Sequence, residues 1–158
     1  MIQAKVKLTF PTALQFVVET GRGHRLIIDD PVGQTGPKPI ELMAAALAGC
    51  TAFDVATILR NKKQKKLKAY EVSVDAEQRK LPPQVFTDVK IHHSITGDDI
   101  DAESVEEAIR LSEEKYCSVG AMVRESGATI TTTYSIQSDQ DVAVGTVENH
   151  AGLKLAAV

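Results

Sequence analysis

The sequence predicts one mixed domain in which antiparallel strands surround a buried central helix, and three observations carry that expectation. Residues 42–53 are small or apolar on every side, and a helix without a polar face is a core helix rather than an amphipathic surface one. Stretches before and after it alternate apolar and polar residues with period two, the signature of half-buried strands. At 158 residues and 43% apolar content, one chain has enough material for one real core. The domain is expected to span residues 1–137, with residues 138–158 a C-terminal tail of unassigned structure.

The elements follow in order. Gln3 to Thr9 sets Val6 and Leu8 against Lys5, Lys7 and Thr9 and reads as a strand; Phe10 to Ala13 reads as a turn. Leu14 to Thr20 is a second strand, and Gly21 and Gly23 turn it back into Arg25–Asp29, giving a three-strand meander. Pro39 stands at a first helical position, where its missing N–H costs nothing, and opens a helix expected to run to Lys62. Its apolar run is short for a bilayer and is bracketed by Glu41 and Asp54. Ala69–Gln78 and Val85–Thr96 are long alternating strands separated by Leu81-Pro82-Pro83. Ala102–Tyr116 is an amphipathic helix with Val105, Ile109, Ser112 and Tyr116 as its stripe. A short helix around Cys117–Val123 and a β-branched strand, Ala128–Ile136, complete the pattern.

Several chemistries are disfavoured at once. The net charge of -3 calls for neither nucleic acid nor an anionic membrane. Lys62, Lys63, Lys65, Lys66 and Lys68 read as a solvated helix end, where cations suit the dipole. His92 and His93 are adjacent on a strand, so they point to opposite faces and cannot share a metal. With two cysteines and no spaced His/Cys cluster, neither a zinc site nor any cofactor is expected. The N-terminus lacks the build of a signal peptide, so a cytoplasmic location is expected. In that compartment a cysteine pair is more often catalytic or free than a static crosslink. Cys50, in the central helix, is therefore read as a redox-active thiol and Cys117 as its partner.

Gly36, Pro37, Pro39, Glu41 and Leu42, followed by Ala48-Gly49-Cys50-Thr51 and then Lys115-Tyr116-Cys117-Ser118-Val119, resemble the OsmC/Ohr family of osmotically induced and organic-hydroperoxide-resistance proteins. The resemblance runs from about residue 3 to residue 136. Val85-Phe86-Thr87, Ile91-His92 and Thr96-Gly97 are similar to one branch of it. The resemblance implies an α+β fold, an intertwined homodimer with sites at its interface, and a thiol peroxidase acting on organic hydroperoxides. Cys50 would become a sulfenic acid, Cys117 would condense with it to a disulfide, and a dithiol of the lipoyl type would restore both.

Two departures touch this chemistry. The family's peroxidases carry an arginine in the turn after the first strand, where this chain has Thr9-Phe10-Pro11-Thr12. They carry a glutamate ten positions before the cysteine, where this chain has Ile40. Glu41 is next to it, but nine helical residues place it about 180° from Cys50. Asp54, at i+4, shares the face of Cys50 at about 6 Å between Cβ atoms. Alone it would raise a thiol pKa; bridged by a cation it would do the anchoring work of the missing glutamate. Arg22, Arg25 and Arg79 are the candidate cations. Two functions follow: a two-cysteine thiol peroxidase, or a redox or small-ligand binding dimer with little turnover.

Overall fold

The computed structural model describes residues 1–10, 14–30, 32–137 and 142–147; the turn expected at Phe10–Ala13 falls mostly outside them. The described residues form two compact units, Met1–Ala45 and a second that begins at Ala46.

The first unit is the expected meander: β1 (Ala4–Phe10), β2 (Gln15–Thr20) and β3 (Arg25–Ile28). Both pairings are antiparallel, with Val6 opposite Val18 and Val18 opposite Leu26. The glycine turn between β2 and β3 needs Gly23 because its φ is +84°. The loop that follows is tied by the buried Asp29, whose carboxylate accepts from the Thr35 N–H at 3.1 Å and from the Thr35 hydroxyl. Helix α1 (Pro39–Thr57) then starts with a capping interaction, the Lys38 N–H donating to Glu41 Oε2 at 2.7 Å.

The second unit carries the rest of α1 and a four-stranded sheet ordered β4 (Lys66–Gln78), β5 (Phe86–Asp98), β6 (Thr129–Gln137), β7 (Val142–Val147). The fold is α+β as expected, with one pair in this sheet that is not antiparallel. β5 and β6 run parallel, because helices α2 (Ala102–Leu111) and α3 (Ser118–Glu125) form a crossover that returns the chain to the same end. Strand β7 lies in the stretch read as tail. Its glycine obscures the strand pattern in the sequence, and the structure gives the reason for that glycine. A Cβ on Gly145 would come within 2.4 Å of the Tyr134 ring of β6.

Core packing follows one row of α1. Leu47, Thr51 and Val55, spaced four apart, are buried, and Val55 joins Ile58, Leu59, Ile95, Val105, Ala108, Ile109, Tyr134 and Ile136 in one apolar cluster. The expectation of burial on all sides does not hold within one chain: Met43 is 41% and Phe53 79% exposed. The helical run is also longer than the bilayer argument assumed. A π-helical turn, Ile58–Lys62, extends it to 24 residues, enough by length and composition alone to cross a membrane. The row packed on sheet and helix is what a core helix shows.

The lysine run is engaged by acids of the same unit. Lys63 pairs with Glu107, Lys65 with Asp101 at 2.6 Å and Lys68 with Asp98 at 2.6 Å. Asp101 also caps α2, accepting from the Ser104 N–H at 2.7 Å. Each such pair contributes at most about 1 kcal/mol. The run is a helix end only as far as Lys63, because strand β4 begins at Lys66.

Candidate active site

α2 ends in a second π turn, Ser112–Tyr116, closed by the Cys117 N–H donating to Ser112 O at 2.8 Å. This wider turn shifts the phase of the helix. Ser112 stays buried with Val105 and Ile109, but Tyr116, expected on the same stripe, is 39% exposed and lies under Lys62, whose Nζ is 5.1 Å from its ring centroid. The same turn delivers Cys117 to the N-cap of α3, where its sulfur accepts from the Gly120 N–H at 3.3 Å. A side chain at position 120 would crowd it, since a Cβ there would be 3.2 Å from Cys117 Sγ.

Cys50 and Asp54 share a face of α1, and Cys117 meets them. Cys50 Sγ, Cys117 Sγ and a carboxylate oxygen of Asp54 all lie within 4.8 Å of one another, and both thiols are free. Cys50 is half-buried; Cys117 is buried. Burial pushes the Cys117 thiol up to about 12, and the Cys50 hydrogen bond and the Asp54 charge act the same way, against the opposing Gly120 N–H. Asp54 is held by Ser112, whose hydroxyl is 3.0 Å from Oδ2 and 3.3 Å from Thr51 Oγ1. A carboxylate only accepts, so the Ser112 proton goes to Asp54 and Thr51 donates to Ser112. Among the described residues no ion pair reaches Asp54.

The other expected residues are engaged elsewhere. Glu41 caps α1, Arg25 pairs with Glu19 at 2.6 Å, and Arg79 donates to the Pro83 carbonyl. Arg22 is exposed in the β2–β3 turn. A different arginine lies beside Cys117. Arg124 of α3 donates to the Glu113 carbonyl oxygen and, with Cys117, Thr51 and Gly120, lines a cavity of about 10 Å³. That volume holds about one water molecule. Glu113 lines it too; burial raises its carboxyl pKa, although the Thr132 hydroxyl donates to it and Arg124 is near. A larger cavity, about 220 Å³, lies in the first unit between Gln3, Lys5 and Glu19 and is lined by no cysteine. Sequence reading missed Thr51, Ser112, Glu113 and Arg124. A serine within the apolar stripe of α2 was the one available signal.

The two histidines face opposite ways, as expected. His92 holds Thr133 Oγ1 at 2.8 Å and Ser135 Oγ at 3.1 Å. His93 is fully buried, its Nδ1 2.7 Å from the Tyr70 hydroxyl and its Nε2 without a hydrogen-bond partner. Burial, and then the charge of Asp54, push the Tyr70 hydroxyl above its usual range.

A meander, a central helix bearing one cysteine and a second cysteine at the start of a crossover helix define an OsmC-like protein. The OsmC-like protein family model matches residues 32–133, and the chain belongs to that family. It is 36% identical over 135 residues to Protein YhfA of Escherichia coli K12, covering 85% of this chain and 98% of that one. A hypothetical protein from Aquifex aeolicus VF5 superposes with a TM-score of 0.77 at 25% identity, over 88% of this chain and 98% of that one. An organic hydroperoxide resistance protein OsmC from Legionella pneumophila shares the fold, with a TM-score of 0.60 at 20% identity over 87% and 96% of the two chains.

Proposed function

We propose that the chain is a two-cysteine thiol peroxidase that reduces organic hydroperoxides. The observation that carries this reading is the approach of the Cys50 and Cys117 sulfurs within 4.8 Å. The Cys50 thiolate attacks the terminal peroxide oxygen; an S–O bond forms, the O–O bond breaks, and the alcohol leaves with a proton. Cys117 sulfur then displaces the sulfenic hydroxyl, which departs as water with the Cys117 proton, leaving a disulfide. Closing that bond asks the sulfurs to move by up to about 3 Å, a local shift. Two electrons and two protons from a dithiol, of the lipoyl type, restore both thiols. The division of labour follows from environment. The high pKa of Cys117 keeps it protonated and out of competition for peroxide. Cys50 is the more exposed thiol, and the small cavity beside Cys117 leaves peroxide to approach from the Cys50 side.

The test is dithiol-dependent consumption of cumene or tert-butyl hydroperoxide, run beside Asp54→Asn. With no cation paired to it, Asp54 opposes a thiolate, so its neutralisation should speed Cys50 oxidation by about tenfold at pH 7. A slower variant would mean that Asp54 holds a cation over the sulfur. Failure of the wild type to consume peroxide would leave the second reading, a redox or small-ligand binding dimer, which the lack of a cation paired to Asp54 among the described residues favours.

Either function is proposed for a homodimer, with a cytoplasmic location. Phe53 of the second unit, at 79% exposure, and separately Met43, Val6 and Leu8 of the first, are exposed apolar residues that a second copy would cover. The expected interface exceeds about 2,000 Å², the range of obligate dimers. Light scattering at micromolar concentration should give twice the chain mass, and a monomer would overturn the assignment.

A further inference from the structure

The face of α1 that carries Cys50 offers more than a nucleophile. A helix places residues at i and i+4 side by side, a common spacing for two ligands of one ion. Here the i position is a thiol and the i+4 position a carboxylate, and the N-cap of α3 adds a second thiol. The three donor atoms lie within 4.8 Å of one another. Around a tetrahedral zinc, with bonds of about 2.0–2.3 Å, such atoms sit roughly 3.5–3.8 Å apart, so a slight contraction suffices. Two sulfurs and one oxygen suit a borderline-soft divalent ion and not magnesium or calcium.

The surroundings are built for charged ligands. Ser112, fully buried, fixes one carboxylate oxygen of Asp54 at 3.0 Å and is itself held by Thr51. Groups that orient a metal ligand in this way are a regular part of metal sites. The Gly120 N–H points at Cys117 Sγ from 3.3 Å, a donor that favours anionic sulfur. Among the described residues no ion pair neutralises Asp54. Three potential anions thus converge, and the nearby Arg124, which lines the cavity beside Cys117, is engaged by the Glu113 carbonyl.

We propose that the reduced chain binds one zinc-class divalent cation through Cys50, Asp54 and Cys117, with the fourth position open to water. Binding displaces one proton from each thiol; two metal–sulfur bonds form, two protons go to solvent, and nothing is oxidised or reduced. The metal and a Cys50–Cys117 disulfide use the same sulfurs and exclude each other. Zinc would hold the thiols in reserve, and oxidation would expel it. Sequence spacing concealed this site, because the second cysteine comes from a remote element.

The test titrates reduced full-length protein with Co²⁺, reading thiolate-to-cobalt charge transfer, and with Zn²⁺ against a chromogenic chelator. One ion per chain is expected, with affinity rising with pH as two protons are released. Cys50→Ser and Cys117→Ser should each weaken the charge-transfer band and the affinity, and Ser112→Ala should lower affinity by about 10- to 100-fold. Wild-type protein alkylated at Cys50 should show no band, and it needs no substitution to fold. Binding without a charge-transfer band would assign the ion to groups other than the thiols, and a band that survives alkylation would remove Cys50 from the ligand set; either outcome overturns the proposal. Peroxide consumption by metal-free protein is a separate readout; its absence leaves the metal site standing, and its presence does not establish one.

Discussion

Cys50→Ser should abolish dithiol-dependent peroxide consumption, whereas Cys117→Ser should still consume one equivalent of peroxide and stop. The difference lies in where each sulfur sits. Cys50 is half-buried, the more exposed of the two thiols, so on the proposed mechanism its loss removes the thiol that peroxide would meet. Cys117 is buried, with its pKa pushed up to about 12, and in the proposed mechanism would act only after a sulfenic acid exists a few ångströms away. Without it the sulfenic acid has no internal thiol to condense with and should be trapped by dimedone and seen by mass spectrometry. Full turnover in Cys117→Ser would remove the resolving role. Rapid single-turnover oxidation in Cys50→Ser would exchange the roles of the two cysteines.

The second large effect is on acid stability and centres on His93. Burial, and then the charge of His92, lower its pKa to about 4 in the fold. An unfolded histidine titrates near 6.5. Because the folded value is the lower one, the stabilisation is complete above about pH 6.5 and is lost as pH falls toward 4. Below 6.5 the unfolded chain takes up a proton that the folded chain refuses. A gap of roughly 2.5 units corresponds to about 3 kcal/mol. Urea midpoints of the wild type should therefore fall steeply between pH 6.5 and 4. His93→Gln, which keeps a partner for Tyr70 but does not titrate, should lose most of that slope. Equal slopes in the two proteins would assign the acid sensitivity to carboxylates such as Asp101, held near 2 by Lys65 and by the Ser104 N–H.

How much of this was legible in the sequence depends on whether the signal was local. The meander, α1 and the long hairpin were readable because period two and the apolar run are properties of short windows. The Cys50–Asp54 pair was readable because i and i+4 always share a helix face. The approach of Cys117 was not a matter of spacing; it rested on resemblance to a family. Arg124 and Glu113 escaped because their meeting beside Cys117 is set by a π turn and a parallel crossover, neither of which marks composition. The same turn displaced Tyr116 from its stripe. The exposed Phe53 shows the converse: an apolar run in the sequence does not by itself say which of its residues the chain buries.

The π turn at Ser112–Tyr116 also makes the protein more sensitive to chain length than to chemistry at this point. A π turn is an α-helix holding one residue more than its pitch accommodates. Glu114 and Lys115 are exposed, so exchanging either for another polar residue costs little. Deleting one of them is absorbed as well. Five residues of the π turn rotate the chain about as far as four residues of an α-helix, so without the extra residue the helix regains its ordinary pitch and Cys117 keeps its direction toward Cys50 and Asp54. A further inserted residue has no such slack and would rotate everything downstream by about 100° relative to Ser112, carrying Cys117 and the α3 cap off their axis. Insertion, rather than deletion or polar substitution, is the change this corner of the fold tolerates least.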